Sequence, residues 1–450
     1  MKEILIIIAF NLIVFFRTLR FTVITDDIKW YSSHKDGWPP LKAYGWNIHN
    51  FISQRLYGGC TFLNIKWHFN TNVEIDHLFS VFLHTTIGCL IYAATGSFWG
   101  AILYSCNPMN NQTSIWLNGR RYAINIILVL LSLIAWQHHA WYLAIPLWGY
   151  TASFHMTGIF APLLWNCGWP LLMVIPFVWI YREKIMNQVL ARMASIYSKE
   201  LLIFFPRRII VVIKSYGFYF WQMLFPTRTL LYYSDLQFWG VTTQGNKDAY
   251  SYNKSFYLGC AALLISIYGM LALPSHYRPM AFFAFFALIQ WCNIVYAVAT
   301  LADRYSNMSL VFMMVILSYL INSIPGPLSF LILGLFLGYY LMSLSMTMKM
   351  YPVIWDQYKY HIWRCPESLS GRLFYANFHI KKQDFVSAWS IVEEGLKYHP
   401  NDFLLLYQAA QCWKGIGNIN ECKKYLARAG ENFYDNQDKI QRQALVDFVL

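Results

Sequence analysis

The stretch LSFLILGLFLGYYLMSL, residues 328–344, contains no charged side chain and has the length and composition of a helix that lies in lipid. Similar apolar blocks occur elsewhere, including ILIIIAFNLIVFF at 4–16 and AINIILVLLSLIAW at 123–136. In the hydrocarbon core of a bilayer, each backbone polar group must find its partner inside its own helix. The sequence therefore predicts an all-α, polytopic membrane protein.

The overall composition favours the same class. Of the 450 residues, 57% are hydrophobic and 13% are charged, whereas soluble proteins contain about 25% charged residues. The net charge of +13 does not form one nucleic-acid-binding patch, because much of it falls between Arg182 and Lys214, with seven basic and two acidic residues. Beside membrane spans, such a segment is typical of a cytoplasmic anchor. The nine cysteines contain no CxxC pair, which argues against a disulfide framework or a zinc site.

About eleven spans can be placed along the chain. We predict them near 4–20, 76–95, 97–108, 122–136, 140–165, 167–181, 209–225, 258–273, 279–300, 306–321 and 327–345. The first block lacks a small-x-small cleavage site and is followed at once by Arg17 and Arg20, so we expect an uncleaved span rather than a secretory signal.

The loops between these spans differ in charge. With the N-terminus in the cytoplasm, the basic loop 182–208 falls inside, and the polar stretches 21–75, 226–257 and 302–305 fall outside. The odd number of spans also places the C-terminal tail outside. The seventh span is the weakest, because Lys214 would sit within it.

The C-terminal region has a different character, with normal charge and an internal repeat. The segments 376–400 and 409–434 align at an offset of 34 residues, with small and aromatic residues at the positions typical of tetratricopeptide repeats (TPR). We therefore divide the chain into a membrane domain at 1–350, a linker at 351–368 and two TPR-like repeats at 369–450. An ordinary helical hairpin is the alternative, and two repeats are fewer than such arrays usually need.

An acid pair, Asp26 and Asp27, follows the first apolar block. Acids at the end of a helix in water need no function, but beside many spans and a long outer loop they suit chemistry on lipid-borne substrates. In the transfer of a sugar from a polyprenyl phosphate, one carboxylate can act as general base on the acceptor hydroxyl and the other can orient it. The leaving phosphate needs a cation, for which Arg120, Arg121 and Arg304 qualify.

Seven segments, in order along nearly the whole chain, resemble the GT-C superfamily of polyprenyl-phosphate-sugar glycosyltransferases, especially the transmembrane and TPR-containing O-mannosyltransferase type. They are TDD (25–27), DHLFSVFLH (76–84), YSCNPMNNQTSIWLNGRRY (104–122), FHMTGIFAPLL (154–164), FPTRTLLYYSD (225–235), ADRYSNM (302–308) and YPVIWDQYKYHIWRCPESLSG (351–371). None of these segments is specific alone, and their common order carries the resemblance.

The resemblance implies an inverting glycosyltransferase that moves a mannose-like hexose from a polyprenyl phosphate to a hydroxyl of an extracytoplasmic acceptor. It implies a protein acceptor, with the TPR-like repeats helping to bind it, although the residues themselves leave a glycan acceptor open. Asp26 or Asp27 would be the catalytic base, and the donor phosphate would contact Arg304, Arg120, Arg121 and His77. The location would be a bacterial inner membrane or an endoplasmic reticulum membrane, with the catalytic loop and repeats on the periplasmic or lumenal side.

Several positions depart from the family pattern. The family's His-Pro is Asn107-Pro108, the usual nearby Glu is Gln112, and the Glu of Glu-Arg-Tyr is Asp303. An expected Arg-Pro reads Gly58-Gly59. Donor or acceptor choice is therefore expected to differ from that of the family. The weaker candidates for the substrate cleft are Trp116, Tyr305, Asp303, Asn107 and Gln112.

Three points stay open on the sequence alone. His77 and His84 lie seven residues apart in or beside the second span, and a satisfied interior histidine is the simpler interpretation than a metal ligand. No resident cofactor or metal site is expected, although Asp26 and Asp27 could together bind a divalent ion. The alternative functions are a transferase resembling O-antigen ligases or polymerases, which uses a lipid-linked glycan, and a membrane TPR scaffold without catalysis.

Overall fold

The computed structural model describes most of the chain in separate stretches. The described residues are 1–21, 73–115, 119–154, 156–165, 172, 175, 205–227, 251–292, 306–349 and 354–431. Within them every regular element is a helix. They fall into two compact units, which divide between residues 352 and 353. This confirms the expected all-helical architecture.

The first unit contains eleven α-helices among the described residues. They are α1 (Lys2–Phe15), α2 (Val73–Thr95), α3 (Phe98–Cys106), α4 (Asn111–Ser114), α5 (Arg120–Gln137), α6 (Trp141–Phe154), α7 (Phe205–Leu224), α8 (Lys254–Ala272), α9 (Arg278–Ile289), α10 (Asn307–Asn322) and α11 (Leu328–Met348). Three 3₁₀ helices accompany them, at Phe16–Arg20, Pro108–Asn110 and Met156–Trp165.

Three of these helices are long and apolar enough to cross a membrane: His77–Thr95, Lys254–Ala272 and Leu328–Met348. Their outward faces carry large apolar side chains that are exposed, such as Leu264 on α8 and Phe330 on α11. Water would penalise such faces, whereas lipid accommodates them. The protein is therefore a helical membrane protein, and the number of eleven spans stays a prediction.

Helices α1 and α2 run antiparallel, so the end of one lies beside the start of the other. Gly88 packs against Ile7 near the start of α1, and the rings of His84 and Phe15 lie 4.7 Å apart. Further along, Phe21 contacts His77 edge to face at 6.3 Å. We call this end of the first unit, marked by Phe21 and His77, the Phe21 end.

Helix α5 starts at the Phe21 end and runs alongside α2 in the same direction. Near its start, Arg120 contacts Ser80 of α2, and near its end the Gln137 side chain donates to the Ala94 carbonyl at 3.0 Å. The connection from α3 to α5 therefore reaches the Phe21 end before the chain returns.

Helix α10 also starts towards the Phe21 end, because it runs antiparallel to α3. The hydroxyls of Ser97, before α3, and Ser318, late in α10, lie 2.6 Å apart. At the other end of α3, the Asn107 amide nitrogen lies 3.9 Å from the Met314 sulfur. The segment 302–305 thus precedes, in sequence, a helix that begins at this end.

The expected single span at 140–165 is wrong, because helix α6 and the 3₁₀ helix Met156–Trp165 pack against each other. The Trp148 ring nitrogen of α6 donates to the Ile159 carbonyl at 3.3 Å, and the Trp136 and Trp165 rings stack at 4.5 Å. Helix α6 and the 3₁₀ helix Met156–Trp165 therefore form a hairpin. Gly158 permits the turn, since a Cβ there would lie 2.8 Å from the Thr151 carbonyl carbon.

The backbones of helices α7 and α8 come into contact where the two helices cross, at Gly217 and Gly259. A Cβ added to Gly217 would lie 2.5 Å from the Gly259 Cα, so only glycine fits on both sides of this crossing. The Lys214 side chain of α7 is wholly buried. The lysine therefore faces the interior of the bundle rather than lipid, as charged residues of membrane helices usually do.

The second unit contains five helices among the described residues. They are α12 (Ile354–Arg364), α13 (Leu369–Lys381), α14 (Phe385–Tyr398), α15 (Phe403–Ile416) and α16 (Ile419–Glu431). The pair α15 and α16 starts 34 residues after the pair α13 and α14. Helix α12 occupies most of the segment that we expected to be a linker.

Small and branched apolar side chains form the core of this unit. They are Leu373, Ala376, Ala388, Val392, Leu405, Ala409 and Cys412. Ser368, Asp384 and Asp402 cap the starts of three helices by accepting from backbone N–H groups. Gly417 ends α15 in the left-handed conformation, with φ of 91°.

Candidate functional site

One face of α2 is polar and buried near the Phe21 end. His77, Ser80 and His84 are spaced by three and four residues, which places them on the same side of the helix. All three are almost completely buried, and the aromatic rings of Phe15 and Phe21 cover the two histidines. An apolar membrane helix thus carries a row of polar side chains into the bundle, the usual mark of a functional region.

Arg120 meets this face at the start of α5. Its Nε donates to the Ser80 hydroxyl oxygen at 2.9 Å, and its guanidinium carbon lies 5.3 Å from the centre of the Phe79 ring. The side chain is 0% exposed. A guanidinium surrounded by protein and an aromatic ring interacts with an anion more strongly than one in water does.

The position of Arg120 in its helix supports an anion-binding role. The first turn of α5 opens with Arg120 and Arg121, at the end where the helix dipole is positive and disfavours cations. Among the described contacts, no side chain caps this N-terminus. Backbone N–H groups at a helix start, with a guanidinium beside them, are a common arrangement for holding a phosphate.

Asn107, the residue after α3, links the 3₁₀ helix Pro108–Asn110 to the end of α7. Its amide nitrogen donates to the Met223 carbonyl at 2.9 Å, and its amide oxygen accepts from the Met109 N–H at 3.0 Å. Both amide atoms of this expected cleft residue are therefore engaged inside the bundle. Their contribution is to fix the end of α7 against the start of the next 3₁₀ turn.

The end of α7 is held by further hydroxyl groups. Tyr340 of α11 donates to the Met223 and Leu224 carbonyls at 3.2 and 3.0 Å, and Ser343 donates to the Pro226 carbonyl at 2.9 Å. The bonds from Tyr340 satisfy carbonyls in the last turn of α7 that have no partner within the helix, and the bond from Ser343 holds Pro226, just beyond the helix. They place the start of the segment FPTRTLLYYSD (225–235) beside the segment that follows α3.

The expected site residues fall into three groups. Described in full are His77, Asn107 and Arg120. Gln112 and Arg121 lie on described helices, but their side chains are outside the described part. Outside the described residues altogether are Asp26, Asp27, Trp116, Asp303, Arg304 and Tyr305.

The structure brings His77 and Arg120 to the same end of α2. Arg120 donates to Ser80, which lies one helical turn after His77. The acid pair follows Phe21, which contacts His77, by five and six residues. The segments that carry the other expected residues adjoin the starts of α5 and α10 in sequence, at or towards the same end.

Sequence reasoning did not select a second set of buried polar residues, at Asn11, Tyr104, Asn110 and Asn111. The signal for Asn11 was present, because it is the one polar side chain in the block ILIIIAFNLIVFF. The three others lie in the segment 104–122, where the resemblance to the family points to Asn107 and Gln112 instead.

No group of three or more His, Cys, Asp or Glu side chains with the arrangement of a metal site occurs in the part of the chain that the structure describes. Comparisons with protein-family models, with curated proteins and with solved structures find no match to this chain. Any function must therefore be argued from the residues and their geometry.

Proposed function

We propose that the protein is an inverting glycosyltransferase of the GT-C type. It would move a mannose-like hexose from a polyprenyl phosphate carrier to a hydroxyl of an extracytoplasmic acceptor, with a protein as the first candidate. The observation that carries the proposal is the buried contact of Arg120 with Ser80, on the same end and face of α2 as His77. That end is also where the chain enters the loop with the acid pair.

The proposed chemistry needs a base at one side of the anomeric carbon and a cation at the other. Asp26 or Asp27 would take the proton of the acceptor hydroxyl, a contribution of roughly 10²–10⁴-fold. Arg120 would stabilise the charge that develops on the leaving phosphate, with Arg121, Arg304 and His77 as further contacts. Displacement of the phosphate by the acceptor oxygen at the opposite face inverts the anomeric centre.

The wider architecture suits a lipid donor. A polyprenyl chain would lie against the apolar outer faces of helices such as α8 and α11. We place the acid pair, the repeats and the acceptor on the periplasmic or lumenal side of the membrane, which would be a bacterial inner membrane or an endoplasmic reticulum membrane. The second unit, with two helix pairs 34 residues apart, would be the TPR-like module that helps to bind the acceptor.

The test is release of polyprenyl phosphate by purified protein in liposomes, supplied with a panel of radiolabelled polyprenyl-phosphate sugars and a mixture of membrane proteins as acceptor. We expect release with one donor, and loss of at least about tenfold in the Arg120→Gln variant. The matched control is Arg278→Gln, because Arg278 donates to the Leu273 carbonyl at the start of α9, away from the Phe21 end.

Two other functions give different results in the same assay. A transferase that resembles O-antigen ligases would act on a lipid-linked glycan and leave the monosaccharide donors intact. A membrane scaffold would release nothing, and its cellular role would depend on the second unit rather than on Arg120. Equal release by the two arginine variants would contradict the assignment of Arg120.

A further inference from the structure

Helix α3 ends at Cys106, inside the first unit, and the 3₁₀ helix Pro108–Asn110 follows it. We call this interruption and the residues that flank it, 104–111, the break, and its residues are completely buried. Nine residues make α3 only about 14 Å long, too short to cross a bilayer. Side chains satisfy the carbonyls at its end: Asn110 donates to the Tyr104 carbonyl, and His84 Nε2 contacts the Ser105 carbonyl at 3.1 Å. The break is therefore built from specific polar contacts.

These contacts fix the hydrogen-bonding state of His84. A carbonyl oxygen only accepts hydrogen bonds, so Nε2 of the neutral imidazole carries the proton and Nδ1 is an acceptor. No group in the described residues donates to Nδ1, which is buried. The imidazole therefore presents an unused acceptor beside the Tyr104 ring, on which it stacks at 5.5 Å.

Asn11 of α1 approaches the same point from the other side. Its amide nitrogen donates to the Ile7 carbonyl at 2.9 Å and to the Ser105 hydroxyl at 3.1 Å. Its amide oxygen is buried and accepts no hydrogen bond from the described residues. A second unused acceptor thus belongs to the group of side chains around Ser105.

The break itself supplies the remaining unused polar atoms. Among the described residues, no partner is found for the Tyr104 hydroxyl, the Asn110 amide oxygen or either amide atom of Asn111, and all are buried. Buried polar groups in folded proteins nearly always have partners, because leaving them without one is unfavourable. Donors and acceptors are both represented, and none of these side chains carries a full charge.

We propose that Asn11, His84, Tyr104, Asn110 and Asn111 bind a neutral hydroxyl-bearing group, the hexose edge of the donor. A hydroxyl both donates and accepts, so it matches a mixed set of neutral donors and acceptors that suits neither an anion nor a cation. This assignment rests on the proposed function and adds the sugar contacts to it.

The spacing along α2 between the partner of Arg120 and His84 is compatible with a phosphate joined to a sugar. Ser80, the partner of Arg120, precedes His84 by four residues on α2, a rise of about 6 Å. The phosphate at Arg120 and the hexose at the break would thus occupy neighbouring levels of the bundle. Asn111, with two unused amide atoms, is the residue that we expect to discriminate most between sugars.

The test compares full-length wild type with Asn111→Leu and a control, Thr85→Val, in lipid nanodiscs. Thr85 adjoins His84, but its hydroxyl is satisfied by the Val81 carbonyl at 2.8 Å. Binding and thermal unfolding are measured with short-chain polyprenyl-phosphate hexoses, with the same polyprenyl phosphate lacking sugar, and with alkyl hexosides.

We expect wild type to bind one sugar-bearing lipid at least about tenfold more tightly than the bare phosphate. Asn111→Leu should lose this difference without lowering the Tm of the unliganded protein, because its amide has no partner to lose. Thr85→Val should keep it. A variant whose Tm falls, or that keeps the preference, would overturn the assignment.

The probes also separate this site from the proposed donor. Equal binding of the sugar-bearing and bare lipids by wild type would overturn the sugar site and leave the phosphate contact of Arg120 standing. Binding of alkyl hexosides alone, lost in Asn111→Leu, would support the site and contradict the polyprenyl-phosphate donor. Binding of no probe would overturn both.

Discussion

Arg120 and Ser80 form a buried contact, in which the guanidinium Nε donates to the serine hydroxyl oxygen at 2.9 Å. The contact joins the first turn of α5 to the polar face of α2. Because the hydrogen bond uses Nε, it sets the plane of the guanidinium fork and thereby the direction of its terminal N–H groups. In the function that we propose, this orientation would direct the guanidinium towards the donor phosphate.

The first prediction concerns Ser80→Ala. Loss of the partner of Nε should leave Arg120 charged but less well oriented, which should lower the rate of donor cleavage by about tenfold, equivalent to about 1.4 kcal/mol. The measurement is polyprenyl phosphate release in liposomes at saturating and limiting donor.

The control for this variant is Ser132→Ala. Ser132 is equally buried and donates to the Ala144 carbonyl at 3.0 Å, between α5 and α6. It should lose stability to a similar degree and keep its activity per folded molecule. Equal activity of the two variants would show that Ser80 does not orient Arg120.

The second prediction concerns the crossing of α7 and α8. Gly217→Ala would place a methyl group 2.5 Å from the Gly259 Cα, so the helices must separate, at a cost of about 1–3 kcal/mol. Thermal unfolding in detergent should show a clear drop in Tm. Gly334→Ala in α11 is the matched control, since nothing lies within 4 Å of the added Cβ, and it should leave the Tm unchanged or raise it slightly.

The third prediction concerns pH and the second unit. Asp384 caps α14, where hydrogen bonds from Ser387 and then from His379 hold the pKa of its carboxyl below the ordinary value of 3.8. A lowered pKa means that the cap stabilises α14 fully above pH 3.8 and is lost as the pH falls through the folded-state pKa.

Hydrogen exchange of the full-length protein measures this effect. At pH 7, Asp384→Ala should increase exchange in the first turn of α14, whereas Asp402→Ala should act on α15 instead. Towards pH 3, the first turn of wild-type α14 should approach the behaviour of Asp384→Ala. Protection that does not change between these pH values would show that the carboxylate does not hold the cap.

Some features of this fold follow from the order of residues alone, and others depend on packing. Charge-free apolar blocks such as 328–344 are sufficient to predict helices, because lipid leaves the backbone no other solution at this length. The prediction of one span at 140–165 is wrong at the stretch TASFHMTG (151–158), where polar residues interrupt the apolar run. The turn itself depends on the close approach of Gly158 to Thr151, which only the packing shows.

The candidate site divides in the same way. Arg120 and His77 could be selected by residue type and by their nearness to a loop, and their burial at one end of α2 follows from how the helices pack. The unused amide atoms of Asn111 could not be foreseen, because Asn107, four residues earlier, has the same side chain with both atoms engaged. Only the packing distinguishes these two residues.

The most direct test of the central claim is the rate of polyprenyl phosphate release by wild type, Asp26→Asn and Asp27→Asn, in liposomes with the preferred donor and an acceptor. If one of the acids is the base, its variant should release at least about a hundredfold less than wild type, while donor binding changes little. Wild-type rates in both variants would contradict the assignment of the acid pair. Activity of both variants in cells, together with no release by wild type, would favour the scaffold over the enzyme.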